Sequence, residues 1–502
     1  MIVFHTYTIQ VDNMHELYDY SVECGKNANN LYNKTLFIQR QVMTYVKKDS
    51  YKWSENEMDV MEKIRRLINA KGFNAPTEKK WLIGFEKMSN LMVLTQDNDY
   101  YAKGFPKQTA ERVIKQMYSD FSSYFENLRK YKRDPSSYTG IPKLPHYKTK
   151  GSIGEFEFSN QSAKVRYDEK NHIWYSILPG RRRINLGKKK PDGKLDKVSV
   201  SFSNGTFTYG FVFAVEIADP VFQETPKRIA SIDLGVNNLM AVTNNIGVPC
   251  VLYKGGVVKS INQQFNKYVA AEMSNETIGS NEKFVPTEKF EKICKKRNNA
   301  ILDYFHKLTN HFTAWCVDNR IDTVVIGCNK GWKQEVSMGS IYNQNFVMIP
   351  FYKLKKLLSY KLYEKGINFI DQEESYTSLA SFVDGDKIPV YNANEQKTYQ
   401  FSGKRGPTEY KGHKKPSGYR GLYESSNGTI VNSDLNGSAN ILRKRFPNAF
   451  KEGATPNFAN ITVIVVPYFE SIITNTERQK NASLIKGISN SKKRRLNRKN
   501  CK

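Results

Sequence analysis

The sequence predicts an α/β protein of several domains, and three observations carry that prediction. Its 502 residues with 39% hydrophobic side chains can build more than one core. Near Arg228 the pattern changes from helical stripes and short strands to strands alternating with helices. Lys+Arg number 77 against 49 Asp+Glu, a net charge of +28, and such a field selects polyanions as partners. The longest apolar run, Ile461 to Phe469, is broken by Pro467 and falls well short of the roughly 20 residues that span a bilayer. Nucleic acid is therefore the expected partner class, and no membrane segment is expected. Met1 to Asp12 alternates like a strand and lacks the pattern of a secretory signal. The six cysteines (Cys24, Cys250, Cys294, Cys316, Cys328, Cys501) show no CxxC spacing, so neither a disulfide framework nor a zinc site is expected. A reducing cytoplasm is the expected setting.

After the first strand, Leu17, Cys24, Ala28, Leu31, Ile38, Val42 and Tyr45 fall on one helical face, and amphipathic helices follow near Glu55–Ile68 and Gln108–Tyr131. Pro135, Gly140, Pro142 and Pro145 end them. Residues 154–218 carry short strands at Phe156–Phe158, His172–Ile177, Val198–Phe202 and Thr206–Ile217, which suggests a small β-barrel. The isolated strand 2–11 is expected to pair with it, giving a barrel of residues 1–11 and 140–226 interrupted by a helical region, 12–139. Between barrel strands, Gly180 to Lys194 holds seven basic residues in fifteen, either a solvated loop or a phosphate-binding segment. The strand Arg228–Gly235 opens a meander with Leu239–Thr243 and Val248–Tyr253. A helix Glu288–Asn319, a strand Thr323–Ile326, a helix Tyr352–Lys365 and a strand Asn368–Ile370 follow, the order of an RNase H-like domain over 227–446. Residues 379–431 form a polar, Gly-rich insert, Asp434–Arg445 resumes a helix, and 447–502 is expected to be a basic tail.

This order places Asp233 at the end of the domain's first strand, Glu373 and Glu374 after a later strand, and Asp434 at the start of the last helix. Singly these are a turn residue, a surface pair and an N-cap or first-turn acid. Together, in a basic protein, clustered like charges would repel without a cation, and carboxylates converging from several elements are what two-metal phosphodiester hydrolysis requires.

The segments Ser231-Ile-Asp-Leu-Gly-Val-Asn-Asn238, Glu374-Ser-Tyr-Thr-Ser378 and Asn432-Ser-Asp-Leu-Asn-Gly-Ser-Ala-Asn-Ile441 resemble the RuvC motifs of TnpB-type transposon-encoded RNA-guided nucleases and the compact type V CRISPR effectors. Phe105-Pro-Lys-Gln-Thr-Ala110 and Gly140-Ile-Pro-Lys-Leu-Pro-His-Tyr147 are similar to the helix-to-barrel junction of that family. The resemblance implies a wedge barrel, a helical recognition region and a RuvC nuclease domain. It further implies a guide RNA, double-stranded target DNA beside a short target-adjacent motif, and two Mg²⁺ ions on Asp233, Glu374 and Asp434, with Glu373 as the alternative third ligand. Two departures stand out. Gly327 occupies the position where the family's second motif carries Glu, which points to relocation onto Glu374, and the insert 379–431 has no cysteine pairs for a zinc ribbon.

The expected function is guided DNA cleavage in a prokaryotic cytoplasm, at the nucleoid when DNA-bound; the alternatives are a nuclease-inactive guided DNA-binding protein and a DNA transposase. Whether the chain is a monomer or a homodimer is open. Residues expected at nucleic acid are Lys107, Gln108 and Arg112 for the target-adjacent DNA, Arg181, Arg182, Arg183, Lys188, Lys189 and Lys190 for the backbone, and Arg297, Lys330, Trp332 and Lys333 for the guide–target duplex. In the insert, Lys404, Arg405 and Lys411 are candidates for holding DNA.

Overall fold

Strand β1 (Ile2–Val11) opens the chain, followed by helices α1 (Tyr18–Tyr45), α2 (Glu55–Lys71), α3 (Phe85–Leu94) and α4 (Lys107–Arg133). Helix α2 starts at a capping box between Ser54 and Glu57 and stops at Gly72, whose φ of 65° suits a residue without Cβ. Six strands then follow: β2 (Phe156–Ser159), β3 (Lys164–Asp168), β4 (Ile173–Leu178), β5 (Arg182–Gly187), β6 (Lys194–Ser203) and β7 (Thr206–Glu216). The computed structural model describes residues 1–276, 284–328, 346–390 and 399–467.

The alternation in β1 is used as expected: it pairs antiparallel with β7, from Ile2 opposite Glu216 to Val11 opposite Phe207. The ladders divide the seven strands between two sheets, β1-β7-β6-β2 and β3-β4-β5, so strand pairing among the described residues does not join them into one closed barrel. The basic stretch after Gly180 is a strand over Arg182–Gly187 rather than a loop. Helices and sheet share one core, in which Cys24, Leu31, Ile114 and Phe121 pack with Phe158, Phe207 and Phe211. The stripe on α1 rests on the sheet: Ser21 Oγ lies 2.7 Å from Tyr209 OH, and Gly154 N donates to Gly25 O at 2.9 Å. Residues 12–139 and 140–226 thus differ in chain order but not in core. This first compact unit ends at Ala218, and the second begins at Asp219, eight residues before the boundary expected at 226/227.

The second unit is built on one mixed sheet. Strands β8 (Ile229–Leu234), β9 (Asn238–Asn244) and β10 (Pro249–Lys254) form an antiparallel meander. Helices α5 (Gly256–Glu276) and α6 (Glu288–Asp318) lead to β11 (Thr323–Gly327), and α7 (Phe351–Tyr363) to β12 (Asn368–Gln372). Strands β8, β11 and β12 run parallel, as helix crossovers require. Short strands β13 (Lys404–Arg405), β14 (Glu409–Tyr410), β15 (His413–Lys414), β16 (Leu422–Glu424) and β17 (Ile430–Asn432) occupy the insert, before α8 (Ser433–Arg445) and β18 (Asn457–Ile464). The sheet order is β12-β11-β8-β9-β10-β18.

Strand β18 corrects the expected tail at 447–502: its residues run parallel to β10, with Cys250 opposite Ile461. The rest of that tail beyond residue 467 lies outside the described residues. Tyr304, Phe305, Leu308 and Phe312 of α6 and Leu354 and Leu358 of α7 bury against β8, β9 and β11 in one core. No helix among the described residues is long and apolar enough to cross a membrane.

Candidate active site

Helix α8 lies across β8, β9 and β11, and its sequence explains how it is held there. Asn432 is the N-cap, its side chain accepting from Asp434 N at 3.0 Å and Leu435 N at 3.2 Å. Asp434 therefore does not cap the helix, and its carboxylate is free for other partners. Ser231 Oγ donates to Ser438 O at 2.8 Å, and Ser438 Oγ donates back to Ser231 O at 2.9 Å, so two small hydroxyl residues clamp helix to strand. Asn436 and Asn440, one turn apart, hold the chain after β12: Asn436 Oδ1 accepts from Phe382 N at 2.9 Å, and Asn440 Nδ2 donates to Thr377 O at 2.9 Å. At Gly437 a Cβ would stand 2.5 Å from Asp233 Oδ2, so only glycine admits this approach of helix to strand-end carboxylate.

The third acid is supplied by the turn after β12. Gly327, at the end of β11, pairs in register with Gln372. A Cβ on Gly327 would collide with Glu374 Oε2 and would also stand 2.5 Å from Ile441 Cδ1. The carboxylate of Glu374 thus fills the space that a side chain at 327 would take. Thr377 closes the turn, with its N and Oγ1 both donating to Glu374 O, at 3.2 and 2.7 Å. Glu373 faces elsewhere, accepting from Lys444 Nζ at 2.6 Å.

The charges of Glu374 and Asp434 both reach Asp233. Burial pushes the Asp233 carboxyl well above the usual range, and the charges of Glu374 and Asp434 push it the same way against the pull of Arg405. Burial, then the neighbouring Glu373, raises Glu374 to about 7, with Lys444 opposing. Asp434 Oδ2 accepts from Asn238 Nδ2 at 2.7 Å and Oδ1 from Arg405 Nη2 at 3.1 Å, and Asn238 Oδ1 in turn accepts from Lys254 Nζ at 2.8 Å. Among the described residues, no three His, Cys, Asp or Glu side chains are drawn together as tightly as a metal shell requires. The donor set nonetheless suits a hard divalent cation: three carboxylates from three elements, two of them buried at a cost to their ionised forms, with a guanidinium beside the third.

Sequence reasoning placed Arg405 among DNA-holding residues of the insert but gave no signal that β13 delivers it to Asp434. Hydrogen bonds organise the described part of the insert. Asp386 accepts from Ser381 N and Ser402 N at 2.8 and 3.0 Å, Asp384 from Ser426 N at 3.0 Å, and the fully buried Tyr423 donates to Leu379 O at 2.7 Å.

The expected nucleic-acid residues divide sharply. Lys107, Arg181, Lys188, Lys189 and Lys190 are exposed. Arg182 lies over the Tyr20 ring at 3.8 Å and donates to Pro179 O, and Arg183 lies over Tyr175 at 3.8 Å and pairs with Asp168 at 2.7 Å. Gln108 accepts from Ser162 Oγ at 3.2 Å, and Arg112 pairs with Glu157 at 3.2 Å. Arg297 bonds within its own unit, its Nε donating to Asn262 at 3.0 Å and its Nη2 to Met348 O at 2.6 Å. Lys330, Trp332 and Lys333 lie outside the described residues. Charge removal should accordingly be uneven. Lys188→Ala/Lys189→Ala/Lys190→Ala is expected to reduce the slope of log K against log salt for RNA binding by about 2–3, whereas Arg182→Ala should lower thermal stability first; titrations at several salt concentrations separate the two.

Residues 212–333 match the OrfB_IS605 family model, described as "Probable transposase", and this stretch contains the Ser231–Asn238 motif. The chain is 26% identical over 288 residues to the TnpB-like protein ORF457 of Acidianus two-tailed virus, the match covering 56% of this chain and 52% of that protein. It thus spans about half the length of that curated relative. Among solved structures, the Cas12f1-sgRNA-target DNA complex is similar at 12% identity, over 89% of this chain and 100% of that one, with a TM-score of 0.30. The mini-RNA-guided endonuclease CRISPR-Cas_phi3 is similar at 9% identity, over 88% and 92%, with a TM-score of 0.38. The family match, which contains Asp233, and the viral relative together make this chain similar to TnpB-type proteins.

Proposed function

We propose that this protein is an RNA-guided DNA endonuclease whose second unit is an RNase H-like RuvC domain, with Asp233, Glu374 and Asp434 as its metal ligands. The observation that carries the reading is the fit between Gly327 and Glu374: the strand end that lacks an acid also lacks the atoms that would exclude the relocated one. Two Mg²⁺ ions bound there would activate water and steady the leaving oxygen of a phosphodiester. The chain's own residues do the rest. Asp233 is fixed by its strand and by the close approach of Gly437, while Asn238 orients Asp434 through one carboxylate oxygen. Arg405, within hydrogen-bond reach of the other oxygen, would offer its guanidinium to a scissile phosphate. Guide pairing supplies sequence selection, and the exposed lysines at 188–190 supply backbone attraction.

The test is to co-express the chain with its native flanking DNA, purify the ribonucleoprotein and challenge it with a plasmid library carrying a guide-matched target beside randomised bases. Mg²⁺-dependent cutting with one enriched flanking motif, absent in Asp233→Ala, is the expected result. A second reading, a guided DNA-binding protein without cleavage, is favoured by one observation, the absence of an acid at Gly327. RNA-dependent target binding with no cutting at any Mg²⁺ concentration would establish it instead.

A further inference from the structure

An acid carried on a turn is held less firmly than one carried on a central strand, so moving the third ligand from β11 to the residues after β12 creates a need for a new support. Helix α8 carries one. Lys444 lies ten residues after Asp434 on that helix, and its side chain is only 8% exposed. Its Nζ donates to Glu373 Oε2 at 2.6 Å and to Ser375 O at 2.9 Å. Glu373 Oε1 also accepts from Ser375 N at 2.6 Å. The two residues flanking Glu374 are therefore tied to one buried ammonium and to each other. A buried ammonium stripped of its carboxylate is costly, so this arrangement resists rearrangement. It also decides between two adjacent glutamates: Glu373 is held by Lys444, while Glu374 lies at the cleft left by Gly327.

We propose that Lys444 is a positioning residue, which fixes the third metal-binding carboxylate by clamping Glu373 and Ser375 on either side of Glu374. The inference rests on the reading of Asp233, Glu374 and Asp434 as metal ligands. Its mechanism is that of an outer partner that orients a ligand without touching the cation, a kind of residue whose loss weakens metal affinity by about 10–100-fold. Because Lys444 and Asp434 share one helix, the clamp also ties the placement of the third ligand to that of the second.

The experiment is a Ca²⁺ titration of the melting temperature of the full chain, with the Mg²⁺ concentration giving half-maximal cleavage as a second readout. In Lys444→Met the Ca²⁺ midpoint is expected to move at least about tenfold upward, and Lys444→Arg should recover most of that loss. Glu373→Gln, a change at a part-exposed side chain that the fold tolerates more easily, should move the midpoint in the same direction. The double variant should be little worse than either single one, since both break the same clamp. A lowered metal-free melting temperature with an unchanged midpoint in both Lys444→Met and Glu373→Gln would overturn the proposal. Asp233→Ala separates the two levels. If it abolishes the Ca²⁺ response while Lys444→Met and Glu373→Gln leave the midpoint in place, the ligand set stands and the clamp falls; if it leaves the response intact, both fall.

Discussion

Asparagine in place of Asp233 is expected to have two opposite effects: loss of cleavage by about a thousandfold or more, and a higher melting temperature for the metal-free protein. The second effect follows from the electrostatics of the first. Burial and the charges of Glu374 and Asp434 disfavour the ionised Asp233, so the metal-free fold carries repulsion that the unfolded chain does not. Removing one charge relieves it while keeping the shape, so the melting temperature of the metal-free protein is expected to rise.

Burial of Glu374, with Glu373 beside it, fixes a pH dependence. Glu374 is raised to about 7 in the folded protein from an ordinary 4.5. Between those values the folded state holds more protons than the unfolded one, so metal-free stability rises as pH falls from about 7 toward about 4.5. Divalent cations should flatten that slope, because they neutralise the acids at high pH. Melting curves from pH 5 to 8, with and without Ca²⁺, read all of this, and a Asp233→Asn variant less stable than the wild type at pH 7.5 would contradict the repulsion.

The second large effect concerns the relocated acid. Glu374→Gln is expected to cut at least about a thousandfold more slowly, with guide RNA and target binding retained, because a ligand supplies chemistry more than affinity. Gly327→Ala is the companion test. Its new methyl meets Glu374 Oε2 and Ile441 Cδ1, an overpacking that costs about 1–3 kcal/mol and pushes the carboxylate out of place, so cleavage falls although no charged group is altered. Gly327→Ala with undiminished cutting would mean that Glu374 does its work elsewhere. Single-turnover cleavage rates and gel-shift affinities, measured side by side, distinguish these outcomes.

The sequence spoke clearly wherever one residue type answers to one environment. Alternation in residues 2–11 announced a strand with a partner, which proved to be β7, and the order of strands and helices placed Asp233 at a strand end, Glu374 after a later strand and Asp434 in the first turn of a helix, where the structure has them. It was silent where identity permits several uses. An arginine beside aromatic strands looks the same whether it faces phosphate or, like Arg182, covers a tyrosine ring. Arg297 sits in a charged helix and yet bonds within its own unit. Strand β18 was hidden because a short apolar run ahead of a basic terminus carries no period long enough to reveal its parallel partner β10. The distinction between Asn432 as cap and Asp434 as a carboxylate free for the site needs the backbone, since both types cap helices well.

Strand β18 and helix α8 also have a bearing on how the protein is made. The sheet built by residues 229–372 lacks both its cover and one edge until residues 433–464 have left the ribosome. A nascent chain halted before that point carries Asp233 without Asp434 and exposes the unpaired edge of β10, a template for adhesion to other strands. Vectorial synthesis thus delays assembly of the acid cluster until nearly all of the described chain exists, and incomplete translation products of this protein should emerge sticky and inert together.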